Sequence, residues 1–239
     1  MLSGCCMLKD GKSLFCNFEK DKVIITDSDG VFLFDIRMSP AEVSDVAYID
    51  EKTVAVCSCS KNHPKICLVD ITKRKTTSYI PFSGRCYRIS YRNESLFVCV
   101  EGTGIQKINL ENRKVENVVK CSISQWSYVA LTDKHLYFTN NTLHTVTCSS
   151  MDGKTVWEFQ DEKLKGPRGL AIDNRGNIYL AGNKSSNVML LCSNGQQSRQ
   201  LLSEDNGIKN PKALHYDITR NRLFVASKEG KVHIFEVSA

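Results

Sequence analysis

Six short apolar runs recur along the chain at nearly constant spacing, and this repeat limits the fold more than any other feature. They read SLFCNF from Ser13, TVAVCS from Thr53, SLFVCV from Ser95, HLYFTN from His135, NIYLAG from Asn177 and RLFVAS from Arg222. Aligned on Leu14, Thr53, Leu96, Leu136, Ile178 and Leu223, they are spaced by 39, 43, 40, 42 and 45 residues. A period of that length belongs to propeller blades or to stacked helical repeats.

Residue type decides between the two. Each unit is built from runs of four to seven residues rich in Val, Ile, Leu, Phe, Tyr and Thr. Turn pairs such as Asp10-Gly11, Asp29-Gly30, Asp152-Gly153 and Asn194-Gly195, with Asn174–Gly176, punctuate them. Short β-rich runs bounded in this way read as strands, and no stretch keeps a helical period. In the fifth unit the spacing predicts strands over Gly169–Asp173, Ile178–Gly182, Val188–Cys192 and Gln197–Leu202. The second run of each unit is apolar on both faces, as in Leu96-Phe97-Val98. A half-solvated antiparallel strand would alternate instead, so each sheet is expected to lie between neighbouring sheets. The fourth run is more polar, which suits an outer edge. The expected fold is all-β: a six-bladed β-propeller of four-stranded antiparallel blades. It forms one domain over residues 1–239, with blades near 2–38, 43–80, 86–119, 126–160, 167–202 and 211–237. The sixth unit shows only three runs, so an unpaired edge is expected near Val232–Val237.

The fifth unit, PRGLAIDNRGNIYLAGNKSSNVMLL, resembles an NHL repeat. It carries Pro, Gly, an apolar-Asp strand, Gly-Asn, an apolar-Tyr strand and Asn before the third strand. The sixth, NPKALHYDITRNRLFVASKEGKVHIF, is a looser match, and Gly182 stands where the family usually has Asp. SGCCMLKDGKSLFC and TLHTVTCSSMDGKTVWEF are similar to the C-terminal propellers of invertebrate tripartite-motif (TRIM-NHL) proteins. The resemblance implies a substrate-recognition module of a ubiquitin ligase, binding protein substrates or single-stranded RNA. The chain has no CxxC pair for a RING-type zinc site and no heptad stretch. It is therefore expected to act as a non-catalytic interaction propeller, and a longer form carrying a RING would resemble a ubiquitin-protein ligase.

The eleven cysteines are odd in number and fall mostly inside apolar runs, as at Cys16, Cys57, Cys99 and Cys192. That is the pattern of reduced, buried thiols in a cytoplasmic protein. No secretory leader and no apolar run of about eighteen residues is present, so no membrane partner is expected. Asn93, Asn140 and Asn183 begin glycosylation triplets that carry no weight without a leader. The net charge of +6 admits RNA or an acidic partner without establishing either.

Cys57, Cys59, His63 and Cys67 place four soft ligands within eleven residues. CxC followed by His and Cys is not a common zinc spacing, and a hairpin loop is the simpler reading, so no metal or other cofactor is expected. Nucleophilic catalysis has no GxSxG, and His144 and His233 read as packed strand residues. A metal-dependent propeller hydrolase or lyase needs acids or histidines at the starts of the innermost strands. Those positions offer Val43, Tyr87, Gln125, Arg168 and Lys212. The loops that join strand four of one blade to strand one of the next carry Arg85, Tyr87, Arg88, Trp126, Lys163, Lys165, Arg168, Lys209 and Lys212. Cations among aromatic rings suit single-stranded RNA or an acidic peptide, and solvated loop charges with packed rings are the plain alternative. Lys73-Arg74-Lys75 and Arg113-Lys114 at the opposite ends read as hairpin tips.

Overall fold

The structure, a computed structural model, describes residues 2–38, 42–227 and 229–237. Five antiparallel sheets have four strands and the sixth has three. The first blade holds β1 (Leu2–Met7), β2 (Ser13–Asn17), β3 (Lys22–Thr26) and β4 (Phe32–Arg37). The second holds β5 (Val43–Tyr48), β6 (Thr53–Ser58), β7 (Lys65–Asp70) and β8 (Lys75–Pro81). The third holds β9 (Cys86–Arg92), β10 (Ser95–Val100), β11 (Gly104–Asn109) and β12 (Val115–Lys120). The fourth holds β13 (Val129–Leu131), β14 (His135–Asn140), β15 (Thr145–Ser150) and β16 (Thr155–Gln160). The fifth holds β17 (Pro167–Ile172), β18 (Ile178–Gly182), β19 (Asn187–Leu191) and β20 (Ser198–Leu202). The sixth holds β21 (Pro211–Asp217), β22 (Arg222–Ser227) and β23 (Val232–Glu236). This is the six-bladed β-propeller expected from the repeat. The chain divides into two compact units, one of blades one to three (Met1–Gln125) and one of blades four to six (Trp126–Ala239).

The second strands are buried as their composition requires: every residue of β10 and of β18 is buried. Both faces are used because each core is shared by two sheets. One core joins Leu14 and Val23 of blade one to Val54 and Val69 of blade two; another joins Cys57 and Ile66 of blade two to Ile89 and Leu96 of blade three. In the other unit Tyr179 and Val188 of blade five pack with Leu214 and Leu223 of blade six. No blade could keep both faces dry alone, which is why the unit must repeat. The fourth strands are largely exposed, as in β12 and β16. Among the described residues β23 pairs only with β22 and none of its residues is buried, so the expected edge lies on the third strand of blade six.

Turn chemistry fixes the hairpins. In the fifth blade the Asp173 carboxylate accepts from Arg175 N and Asn177 N while Gly176 takes φ +83°. Asp27, with Gly30 at φ +84°, repeats this arrangement in the first blade. A carboxylate bonding the backbone two residues on, closed by a residue free to enter the left-handed region, makes a tight turn of these sequences. Two of the expected details change. The first strand of blade five begins at Pro167, before Gly169. His144 lies in the turn between β14 and β15 at φ +63°, not on a strand; its Nδ1 accepts from Gly166 N at 3.0 Å. Among the described residues no helix is long and apolar enough to cross a membrane. Asn140 and Asn183 are buried, whereas Asn93 is exposed.

Candidate binding site on the crossover loops

Five of the innermost strands, all but β13, share an irregularity at their leading ends. The register slips by one residue between Leu2 and Gly4, between Val43 and Asp45, opposite Cys99/Val100, between Pro167 and Leu170, and between Pro211 and Ala213. The extra residue is Ser3, Ser44, Tyr87 or Lys212 in four of these bulges, and falls within Arg168–Gly169 in β17. A bulge frees a side chain from the strand's alternation and re-aims it. The small ones bridge blades: Ser3 Oγ donates to Cys16 O and Val43 O, and Ser44 Oγ to Cys57 O and Cys86 O.

In the second unit the larger ones converge on Trp126. The Arg168 guanidinium carbon lies 4.1 Å from the centroid of the Trp126 ring and Lys212 Nζ lies 5.3 Å from it. Lys212 is 3% exposed, so it belongs to the inner strand and not to a free loop. The loops leading to these cations are built alike. Leu164-Lys165-Gly166-Pro167-Arg168 matches Ile208-Lys209-Asn210-Pro211-Lys212. Leu164 and Ile208 are buried anchors, and Gly166 and Asn210 take φ +59° and +46°. Prolines then open β17 and β21. The backbone is held from blade five's second turn: Lys165 N donates to Ser185 Oγ, Asn187 Nδ2 to Lys163 O, and Asn210 N to Ser186 Oγ. Lys163, Lys165 and Lys209 are thus exposed on anchored loops. Sequence reading named these residues but missed the repeated aliphatic-Lys-Gly/Asn-Pro-cation signal that unites them. Asn141 Nδ2 to Pro167 O and Asn183 Nδ2 to Pro211 O tie each blade to the next at the same level.

The first unit holds Arg85, Tyr87 and Arg88. Arg85 donates to the Tyr87 hydroxyl at 3.3 Å, which donates to Glu101 Oε2 at 3.4 Å. Burial, and then Glu101, push the Tyr87 phenol up to about 12. Arg88 lies within β9 and is 2% exposed, so it is a core residue and not the loop cation its neighbours Gly84 and Arg85 imply. It donates to Ser44 O at 3.1 Å and to Tyr87 O at 2.6 Å. Asp45, which sequence reading passed over, accepts from Ile89 N at 3.0 Å. Burial pushes its carboxyl up to about 6, against the opposing pull of Arg88. The six rim residues in the second unit and the three in the first therefore form two local clusters, one with exposed lysines and one mostly buried.

The weaker metal reading fails on geometry. Cys57 pairs with Ile66 in the core shared with blade three, whereas Cys67 pairs with Val56 in the core shared with blade one. They face opposite sides of one sheet and cannot share an ion with Cys59 and His63. Among the described residues no three His, Cys, Asp or Glu side chains are grouped to hold a metal.

No protein-family model matches the sequence, and no curated protein does. Solved structures do match. A protein of unknown function from Bacteroides thetaiotaomicron superposes with a TM-score of 0.81 at 14% identity, over 98% of this chain and 68% of that one. A streptogramin B lyase gives 0.73 at 15% identity, over 100% and 83%. Virginiamycin B lyase from Staphylococcus aureus gives 0.71 at 15%, over 100% and 85%. At such identities the likeness is one of fold: this chain is a six-bladed β-propeller similar in architecture to a lyase and to a protein of no known activity.

Proposed function

We propose that the chain is a protein-interaction propeller whose crossover loops in the second unit take an acidic segment of a protein partner. The observation that carries this is the paired loop construction. Lys163, Lys165 and Lys209 are exposed on loops pinned by buried anchors, beside inner-strand cations that share one indole. Because the loop backbones are already held, meeting carboxylates orders only the lysine side chains, and complementary charge steers and registers the partner. A role in a tripartite-motif ubiquitin-ligase pathway, as substrate-recognition module or adaptor, is part of this proposal and rests on the NHL resemblance.

Single-stranded RNA is the second reading, and the rings argue against it. Stacking needs an open aromatic face, but Tyr87 is 7% exposed and Trp126 is overlain by Arg168. The architectural likeness to a lyase keeps a propeller lyase or hydrolase as a third reading. It is the weakest because the leading ends of the inner strands present mainly cations and hydroxyls; the acids there include Asp45, bonded within the core, and Glu101, bonded to Tyr87.

Titration with a polyglutamate peptide and with a poly-U oligonucleotide at several salt concentrations tests the proposal. The peptide should bind, and Lys163→Glu/Lys165→Glu/Lys209→Glu should abolish its binding while leaving the unfolding midpoint in place. Oligonucleotide binding with a log–log salt slope, and no peptide binding, would put RNA in its place.

A further inference from the structure

At the opposite ends of the strands in the second unit, blades five and six line an open cavity of about 120 Å³. On the same measure a single water needs about 10–15 Å³, so the space admits a group of several heavy atoms. Its lining includes Asp173, Arg175, Tyr179, Arg199, Tyr216 and Asn221.

The chemistry of that lining is one-sided. Asp173 is the one carboxylate, and its oxygens are occupied. Oδ1 accepts from Arg175 N (2.9 Å) and Asn177 N (2.8 Å), and Oδ2 from Asn177 Nδ2 (2.9 Å) and the Tyr179 hydroxyl (3.4 Å). The Tyr216 hydroxyl donates to Asn221 Oδ1 at 3.2 Å, which leaves the Asn221 amide hydrogens as donors. Neither the Arg175 nor the Arg199 guanidinium makes a hydrogen bond or ion pair among the described residues. The walls are rigid: Tyr179 and Tyr216 stack with ring centroids 5.4 Å apart at 18°, and Asn221 is held at φ +51° where its carbonyl accepts from Val237 N. Unspent donors and two uncommitted guanidinium groups thus face a small cavity whose only acid is spoken for.

We infer that this cavity, bounded by Arg175, Arg199 and Asn221, is a binding site for a phosphate group. Guanidinium forks match phosphate oxygens and bind them more strongly than neutral donors do. The stacked tyrosines supply a floor for whatever carries the phosphate. The site is separate from the crossover loops, since β17 and β21 run from one to the other, and the two can fail independently.

The test follows the arginine Nε–Hε resonances of the full chain by NMR during titration with inorganic phosphate, at constant ionic strength against chloride and acetate. Phosphate should move the Arg175 and Arg199 signals saturably and more tightly than acetate. Arg175→Gln/Arg199→Gln, both at exposed positions, should weaken binding by about tenfold or more, read on the Asn221 side-chain amide signals because the two arginine signals are then gone. Asn221→Asp, which keeps a residue type tolerant of the left-handed region, should abolish it by turning a donor into a charge. Shifts matched by chloride or acetate, shifts that survive the double substitution, or no saturable shift would each overturn the assignment. Lys163→Glu/Lys165→Glu/Lys209→Glu should leave the phosphate response unchanged, so a failed crossover-loop proposal is told apart from a failed phosphate site.

Discussion

Gly4 lies so close to Asp45 that a methyl group on it would stand 2.0 Å from Oδ1 and 2.7 Å from Cα. Gly169 repeats this contact in the other unit, where the added carbon would meet Leu214 N at 2.7 Å and Ala213 at 2.9 Å. Both glycines follow or share the bulge of an innermost strand and abut the innermost strand of the next blade. Neither has a left-handed φ, so the requirement is for space alone. Gly4→Ala and Gly169→Ala should each destabilise the chain by about 1–3 kcal/mol or more, as overpacking against backbone does. Gly30→Ala, with nothing near its added carbon, should lose about 1 kcal/mol from its left-handed φ. Denaturant midpoints measure all three.

Arg88 and Asp45 make stability depend on pH with a particular sign. The Asp45 carboxyl titrates near 6 in the folded chain against 3.8 for the free group. Its contribution is therefore full below about pH 4 and lost as pH rises through 6, a change of roughly 3 kcal/mol. Arg88→Met removes the cation and leaves a buried carboxylate, which should cost about 3–5 kcal/mol at pH 7. The same substitution should cost less at pH 5, where Asp45 takes up a proton. Guanidinium unfolding at the two pH values decides; an equal loss at both would separate Asp45 from Arg88.

Trp126 holds Arg168 and Lys212 by its ring. Trp126→Leu should lower stability by about 1–2 kcal/mol and Trp126→Phe by less, because a smaller ring keeps part of the attraction to the cations. The midpoints of thermal unfolding for the two variants give the comparison.

The thiols should divide sharply by accessibility. Of eleven cysteines, only Cys5, Cys121 and Cys192 are not fully buried, and burial raises the Cys121 thiol as well. Mass spectrometry after brief treatment of the native chain with iodoacetamide should find modification confined to those three, and at all eleven after denaturation. Fast labelling of Cys57 or Cys86 would contradict the cores described for blades two and three.

The blade count was readable because it depends on a local property, a second strand apolar on both sides, as in Leu96–Val100. The outer strands were readable for the same reason. Asp45 was not, because within VSDVAY it resembles the polar half of an alternating strand. Its meaning comes from Ile89 and Arg88, more than forty residues away, and from the space left by Gly4. Arg88 was misplaced because Gly84 and Arg85 announce a loop, while one slipped residue at Tyr87 carries Arg88 inside. Lys163, Lys165 and Lys209 were legible as exposed cations. That Arg168 and Lys212 meet on a single ring was not, since blade-to-blade approach sets it. Cys57 and Cys67 looked like partners in sequence, but strand alternation sends them to different cores.

The slipped residue at the head of the inner strands has a wider consequence. Because it stands outside the ladder of paired amides, its side chain can be exchanged without breaking the pairing within its own sheet, although at Ser3 and Ser44 the exchange gives up a hydroxyl bond to the next blade. Here that place is filled by Ser3, Ser44, Tyr87 and Lys212 on nearly the same backbone. The joint between one blade and the next can therefore be rewritten one blade at a time, each change leaving the strand pairing of that sheet in place.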